Sequence, residues 1–334
     1  MNQKYDLVIV GAGPAGLACA IEAKKRGLNL VVLEKGCLVN SIYNYPENMT
    51  FFTTGELLEI GNVPMIVRTD KPKRVDALRY YRRVAEHYEL VVRDFERVLG
   101  IKGSDNDFRV QTRDRFDDLK DYPCRKVVIS TGYFDNPNLL EIPGEELPKV
   151  SHYYTDPHPY YGKDVAVIGG KNSAAIAALE LFRNGARVVL IHRGEAMGRE
   201  VKYWILPDIN NRIRNGEVKA FFSSTVREIR EKEVVVSTPE CEVVLPNDFV
   251  FALTGYHPDV ELFEGCGIRV DPETSVPSHN AETLETNVSG IYLAGSVISG
   301  KMTNRVFIEN GRFHGEQILP HLQSNLQSAE YQKK

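Results

Sequence analysis

Apolar runs with no polar alternation recur along this chain, and the first, Leu7-Val8-Ile9-Val10, ends on Gly11-Ala12-Gly13-Pro14-Ala15-Gly16. A run of this kind reads as a strand buried on both faces of a parallel sheet. Helical spacing takes over from Gly13 to about Gly27, and a second strand follows at Leu30-Val31-Val32-Leu33, closed by Glu34. The pattern returns at Asp164-Val165-Ala166-Val167-Ile168, with Gly169-Gly170-Lys171-Asn172-Ser173-Ala174, a helix to Asn184 and the strand Arg187-Val188-Val189-Leu190-Ile191. Two such strand, helix, strand units predict an α/β chain with two Rossmann-like dinucleotide-binding domains.

Between the units, Lys73 to Tyr88 carries Leu78, Tyr81, Val84, Ala85 and Tyr88 at helical spacing, with its basic residues on a solvated face. Residues 90–129 alternate as a β-meander ending in Lys126-Val127-Val128-Ile129 and the turn Ser130-Thr131-Gly132-Tyr133. The second unit closes at Phe249-Val250-Phe251-Ala252-Leu253-Thr254-Gly255. Beyond it come the strand end Ile291-Tyr292-Leu293-Ala294-Gly295-Ser296 and a helix expected from about Asn304 to Leu322. The tail after Leu322 reads as disordered. Tyr133 and Tyr256 each follow a threonine-glycine turn near the crossings between the halves, where packing and gating are both open readings.

The glycines carry the chemistry. In the first unit they permit a tight turn, backbone approach to a pyrophosphate and close helix packing, while the helix opening at Gly13 aims its N–H groups and dipole at phosphate. Glu34, at the end of the second strand, is placed to accept from ribose hydroxyls. In the second unit, His192 stands where the step from Gly11 to Glu34 lands when counted from Gly169, and Arg193 follows. Arg199 and Lys202 are near in sequence. Cations in place of the acid favour a 2′-phosphate, so the second ligand is expected to be NADPH rather than NADH. Lys171 replaces that motif's second glycine, and its side chain either reaches the pyrophosphate or narrows the site. The loop Ser41-Ile42-Tyr43-Asn44-Tyr45-Pro46 to Thr54 is rich in aromatics, which either wall a flat ring or form satellite core.

The 334 residues, 43% hydrophobic and 26% charged, suit a globular protein with room for two domains. A formal net charge of −4 gives no general pull toward nucleic acid or an anionic membrane. With the first strand at about Tyr5 and no apolar run approaching about 18 residues, neither a signal peptide nor a membrane span is expected, and the expected location is the cytoplasm. Cys19, Cys37, Cys124, Cys241 and Cys266 are odd in number and widely spaced, which argues against a disulfide framework, a zinc ribbon or a C-x-x-C pair. No cluster has metal-ligand spacing.

Taken with the threonine-glycine turns and the Ala-Gly-Ser strand end, the whole chain resembles the two-dinucleotide flavoproteins of the thioredoxin reductase superfamily. Four stretches, Ser41 to Pro46, Ile168 to Ala174, Lys202-Tyr203-Trp204-Ile205-Leu206-Pro207 and Phe307-Ile308-Glu309-Asn310-Gly311-Arg312-Phe313-His314-Gly315, resemble the bacillithiol-disulfide (bacilliredoxin) reductase family within it. Lys171 is that family's own habit. The resemblance implies a homodimer with FAD on Gly11, Gly13, Gly16 and Glu34, and NADPH on Gly169, Gly170, Asn172, Ser173 and Arg193. Pro14, Ala15, Lys35, Tyr45, Thr131, Gly132, Gly295, Ser296, Phe307 and Ile308 complete the candidate FAD set; Lys171, Ala174, His192, Arg199 and Lys202 complete that for NADPH. Residues 1–150 and 258–325 are then the two parts of an FAD-binding domain, 151–257 an inserted NADPH-binding domain and 326–334 a tail.

Two departures bear on the acceptor. No C-x-x-C occurs in the second domain, and Ala15 stands where family members often carry a cysteine. Cys37 is the candidate redox thiol, Cys19 reads as a small buried hydrophobe, and His314 is the candidate proton donor. Three functions follow: NADPH-dependent FAD reduction of a low-molecular-weight thiol disulfide or a small redox protein; reduction of a ferredoxin, quinone or dioxygen; and a non-catalytic nucleotide-binding redox sensor.

Overall fold

Strands buried on both faces need cover on both, and the computed structural model, which describes residues 4–331, provides it in two units, Met1–Asn136 with Tyr256–Lys334 and Pro137–Gly255. The chain enters the first unit through β1 (Tyr5–Val10), α1 (Pro14–Lys25), β2 (Leu30–Leu33), α2 (Asn40–Tyr43), α3 (Gly55–Leu58), α4 (Arg74–His87), β3 (Val92–Arg93), β4 (Glu96–Ser104), β5 (Asp107–Asp114) and β6 (Leu119–Ile129). The second unit holds β7 (Val150–Ser151), β8 (Asp164–Ile168), α5 (Asn172–Arg183), β9 (Arg187–Ile191), α6 (Leu206–Arg214), β10 (Lys219–Phe221), β11 (Thr225–Ile229), β12 (Glu233–Ser237), β13 (Glu242–Pro246) and β14 (Phe249–Ala252). The chain returns to the first unit for α7 (Val260–Gly265), β15 (Ile291–Leu293), a 3₁₀ turn at Gly295–Ser299, α8 (Ile308–Gly311) and α9 (His314–Tyr331).

In the first unit the strand order is β3-β2-β1-β6-β5-β4, with β15 also on β6. β1 pairs in parallel with β2 and β6, Val8 opposite Val31 and Val127. β6 serves two further partners besides β1: its first half pairs antiparallel with β5, as a meander requires, and its last residues pair in parallel with β15. Period-two alternation sorts the apolar run between two cores. Leu7, Ile9, Val32 and Val128 join Leu17, Ile21, Tyr81, Val84 and Ile318 on one face. Val8, Val10, Val31, Leu33, Val127 and Ile129 join Ile101, Phe108 and Phe263 on the other. Burial of each such side chain contributes about 1.5–3 kcal/mol, so a one-residue slip that exchanged the faces would be costly.

Two expectations for the last helix need correction. The helix expected over 304–322 is two helices. Asn310 Oδ1 accepts from the Phe307 N–H at 2.8 Å and starts the short α8, and Arg312 turns its guanidinium onto the carbonyls of Glu56 and Glu59 at 2.7 and 2.8 Å, so the chain bends before α9 begins. The segment after Leu322 is helical through Tyr331, because Leu326 is buried and its carbonyl accepts from Arg125 at 2.7 Å. Residues 332–334 of the expected tail lie outside the described residues.

The second unit is a parallel sheet, β10-β9-β8-β14-β7, beside a three-stranded antiparallel sheet, β11-β12-β13. Val165, Val167, Leu190 and Phe251 pack with α5 and α6 residues such as Leu181 and Ile209. Ala166, Ile168, Ile191 and Val250 pack with Val226, Val234 and Val236. The divisions fall at 136/137 and 255/256, not at 150/151 and 257/258. Residues 137–150 are built into this unit: the Asn138 N–H donates to the Gly255 carbonyl at 2.9 Å, the Pro143 carbonyl accepts from Ile229 at 2.9 Å, and β7 pairs with β14. Among the described residues no helix is long and apolar enough to cross a membrane.

Candidate functional site

Each unit gathers its loops at the carboxyl ends of its parallel strands, where open α/β sheets bind ligands. In the first unit, β1 runs into Gly11 at φ +103°, and a Cβ there would stand 2.5 Å from the Ser130 carbonyl oxygen at the end of β6. At Gly16 a Cβ would stand 2.1 Å from the Gly11 carbonyl oxygen. These glycines are demanded by the protein's own packing. Gly13 is different: its φ of −72° suits any residue, and apart from its immediate chain neighbours nothing lies within 4 Å of where its Cβ would be. Gly13 caps α1 without a side-chain hydrogen bond, and the first turn carries no acid, so the positive end of the helix faces outward uncompensated.

Glu34 braces this loop. It is 7% exposed, and its two oxygens accept from the N–H groups of Ala12 at 2.8 Å and Gly36 at 2.9 Å. Burial pushes its carboxyl above the usual value. Each oxygen keeps a further lone pair for a ribose hydroxyl. Ser130 Oγ lies 3.0 and 2.9 Å from the carbonyls of Val10 and Gly11, a tie that the sequence reading missed because the serine is remote in the chain. Beside it, Thr131 Oγ1 is buried with no hydrogen-bond partner among the described residues. Gly295 closes the far side, where an added Cβ would stand 2.8 Å from Ala15 Cβ, and Ser296 Oγ lies 3.7 Å from the Cβ position of Gly132. Gly11, Gly13, Ala15, Gly16, Ser130, Thr131, Gly132, Gly295 and Ser296 therefore form one cradle. An outward helix end, a glycine that nothing in the protein requires and an orphaned buried hydroxyl fit an anionic dinucleotide.

The outlying candidates are placed otherwise. Lys35 forms an ion pair with Asp135 at 3.0 Å. Tyr45 is half-buried edge-on to Phe51 and Phe134, with ring centroids 6.5 and 5.1 Å away, and burial raises its phenol pKa. Tyr133 and Tyr256 stack at 6.4 Å, and the Tyr133 hydroxyl donates to the Thr303 carbonyl at 3.3 Å, so both pack within the first unit. Phe307 is exposed at the start of α8, and Ile308 is partly buried against the core.

The two catalytic candidates meet contrary surroundings. Cys37 Sγ is 3.7 Å from Asn40 Oδ1, and burial, then the Glu34 charge, raise its thiol pKa, which disfavours the reactive thiolate. Cys19 is buried and pushed up to about 12, as expected of a small hydrophobe. His314 is 9% exposed, its Nδ1 accepts from the Gly295 N–H at 2.9 Å, and burial holds it near pKa 4. It is neutral at pH 7 and ties the β15 end to α9 through this hydrogen bond.

In the second unit, Gly169 at φ +146° brings the backbone to the Leu253 carbonyl, where a Cβ would stand 2.6 Å from its oxygen. A Cβ at Gly170 would meet His192 Nε2 at 2.3 Å, so the imidazole lies against the loop. Burial, then Arg193, hold His192 below its usual value. Arg193 and Arg199 are exposed and in no ion pair among the described residues. α5 starts after Lys171 with no side-chain cap and no acid in its first turn; Asn172 and the exposed Ser173 lie in that turn, and Ala174 is buried beneath. Asn172 ties the neighbouring loop down, its Oδ1 accepting from the Lys202 N–H at 3.0 Å and its Nδ2 donating to the Glu200 carbonyl at 3.1 Å. Glu200 escaped the sequence reading, since no motif marks it.

Comparison with known proteins agrees with this arrangement. A model of the pyridine nucleotide-disulphide oxidoreductase family matches residues 8–295. The chain is 47% identical to bacilliredoxin reductase Bdr of Bacillus subtilis (strain 168) over 93% of its own length and 95% of that protein's. The bacillithiol disulfide reductase Bdr structure from Bacillus cereus superposes with a TM-score of 0.95 at 44% identity, covering 96% of this chain and 99% of that one. Its counterpart from Staphylococcus aureus gives 0.91 at 43% identity, covering 98% and 99%.

Proposed function

This chain belongs to the pyridine nucleotide-disulphide oxidoreductase family and, within it, to the bacillithiol disulfide reductases; from that premise we propose that it is an NADPH-dependent FAD enzyme reducing a low-molecular-weight thiol disulfide of the bacillithiol type, or a small redox protein carrying one. The observation that carries the reading is Gly13, a glycine that the protein's packing does not require at the uncompensated end of α1. Close approach of a pyrophosphate gives it a reason.

Within the first unit, the α1 N-terminus would hold the FAD phosphates, Glu34 a ribose, and the Thr131 hydroxyl would offer a buried hydrogen bond. His314, neutral and fixed to Gly295, holds the β15 end in place. Within the second, the α5 N-terminus would hold the pyrophosphate of NADPH, with Arg193 and Arg199 taking its 2′-phosphate. The chemistry that a bound flavin supplies is acceptance of hydride from reduced nicotinamide and transfer of the electron pair to the disulfide. The four cysteines of the first unit, Cys19, Cys37, Cys124 and Cys266, are all held protonated above the usual thiol value, so none is set up as a thiolate relay. A homodimer in the cytoplasm completes the proposal.

The test is anaerobic. NADPH should bleach the flavin of the purified enzyme, and bacillithiol disulfide should restore its colour at a catalytic rate. Restoration by ferredoxin alone would replace the proposed acceptor, and a protein that takes up no FAD would end the reading.

A further inference from the structure

Lys171 stands where the fingerprint's second glycine would let the backbone approach a pyrophosphate. Its ammonium is 3.0 Å from Glu200 Oε1, and both side chains reach solvent, 69% and 37% exposed. Glu200 is held there by its backbone. Its carbonyl accepts from Asn172, the residue after Lys171, and the Gly198 N–H donates to the Gly170 carbonyl, the residue before it, at 2.8 Å. An acid is thus stitched beside the cation nearest the start of α5.

We propose that Glu200 sets the affinity of this cradle: by engaging Lys171 it competes with the pyrophosphate for the ammonium and weakens binding of NADP(H) and NAD(H) alike. The inference rests on the reading of the second unit as the pyridine nucleotide site. Both nucleotides carry the pyrophosphate, whereas only one carries the 2′-phosphate expected on Arg193. Glu200 therefore acts on affinity without touching the choice between them.

Calorimetric titration of the FAD-loaded enzyme with NADP⁺ and NAD⁺ tests this without turnover. An exposed pair is weak, so Glu200→Gln should tighten both nucleotides by about threefold at low salt, with the gain fading by about 0.5 M as charges are screened. Lys171→Ala should weaken both, and in the Lys171→Ala background the glutamine change should have no further effect. Looser binding by Glu200→Gln would make the acid a ligand of the nucleotide and overturn the proposal. So would an equal gain without Lys171, or a gain confined to NADP⁺. Wild-type enzyme that binds neither nucleotide would instead overturn the functional reading beneath it.

Discussion

His314 Nδ1 accepts the Gly295 N–H at 2.9 Å, joining the end of β15 to the last helix through a histidine that is 9% exposed. Burial lowers its pKa from 6.5 to about 4. The unfolded chain therefore binds a proton there before the folded one does. Stability is fully present above about pH 6.5 and is lost as pH falls toward 4, by about 3 kcal/mol for this group. Thermal melts of the wild type should drop between pH 7.5 and 5, and His314→Gln should be less stable at pH 7.5 but flatter across that range. A variant with the same slope as the wild type would remove His314 from the acid sensitivity.

The two glycines of the first loop should fail in different ways. At Gly16 an alanine Cβ would lie 2.1 Å from the Gly11 carbonyl oxygen, so Gly16→Ala should disrupt the fold itself and lower the yield of soluble protein. At Gly13 nothing in the protein meets the new methyl group, so Gly13→Ala should keep a native circular dichroism spectrum and lose FAD. Yellow, fully loaded Gly13→Ala protein would contradict the proposed cradle.

Arg193 is exposed just past the β9 end, beside the imidazole that covers Gly170. Arg193→Glu should raise the KM for NADPH by at least about tenfold more than that for NADH, since a carboxylate repels a 2′-phosphate and leaves a hydroxyl alone. Equal effects on the two would mean that the phosphate is held elsewhere.

Cys37 and Cys19 both have raised thiol pKa values, the latter to about 12. Cys37→Ser and Cys19→Ser should each leave NADPH consumption with a disulfide substrate within about twofold of wild type. A loss of about a hundredfold in either would assign that sulfur to the electron path.

Much of the fold was legible because the apolar runs are local. Leu7 to Val10 and Val165 to Ile168 are continuous since both faces of their strands are covered, and Lys73 to Tyr88 announces α4 by spacing alone. The long last helix was misread because nothing local distinguishes Asn310 as a cap from Asn310 inside a helix; the bend depends on Glu56 and Glu59 carbonyls far away in sequence. The boundary at 136/137 was missed for the same reason, since hydrogen bonds to the distant Gly255 and Ile229, and not composition, recruit residues 137–150.

By itself the amino-acid order determined two glycine-marked cradles, the acid that closes the first and the cations near the second, because close backbone approach and charge leave marks within a few residues. Tertiary structure alone decided that Ser130 ties the first loop down, that Thr131 is left with an unspent hydroxyl, that His314 is a neutral clamp and that Glu200 faces Lys171. Each of these depends on burial or on a partner brought in from a distant part of the chain, and neither is written in local spacing.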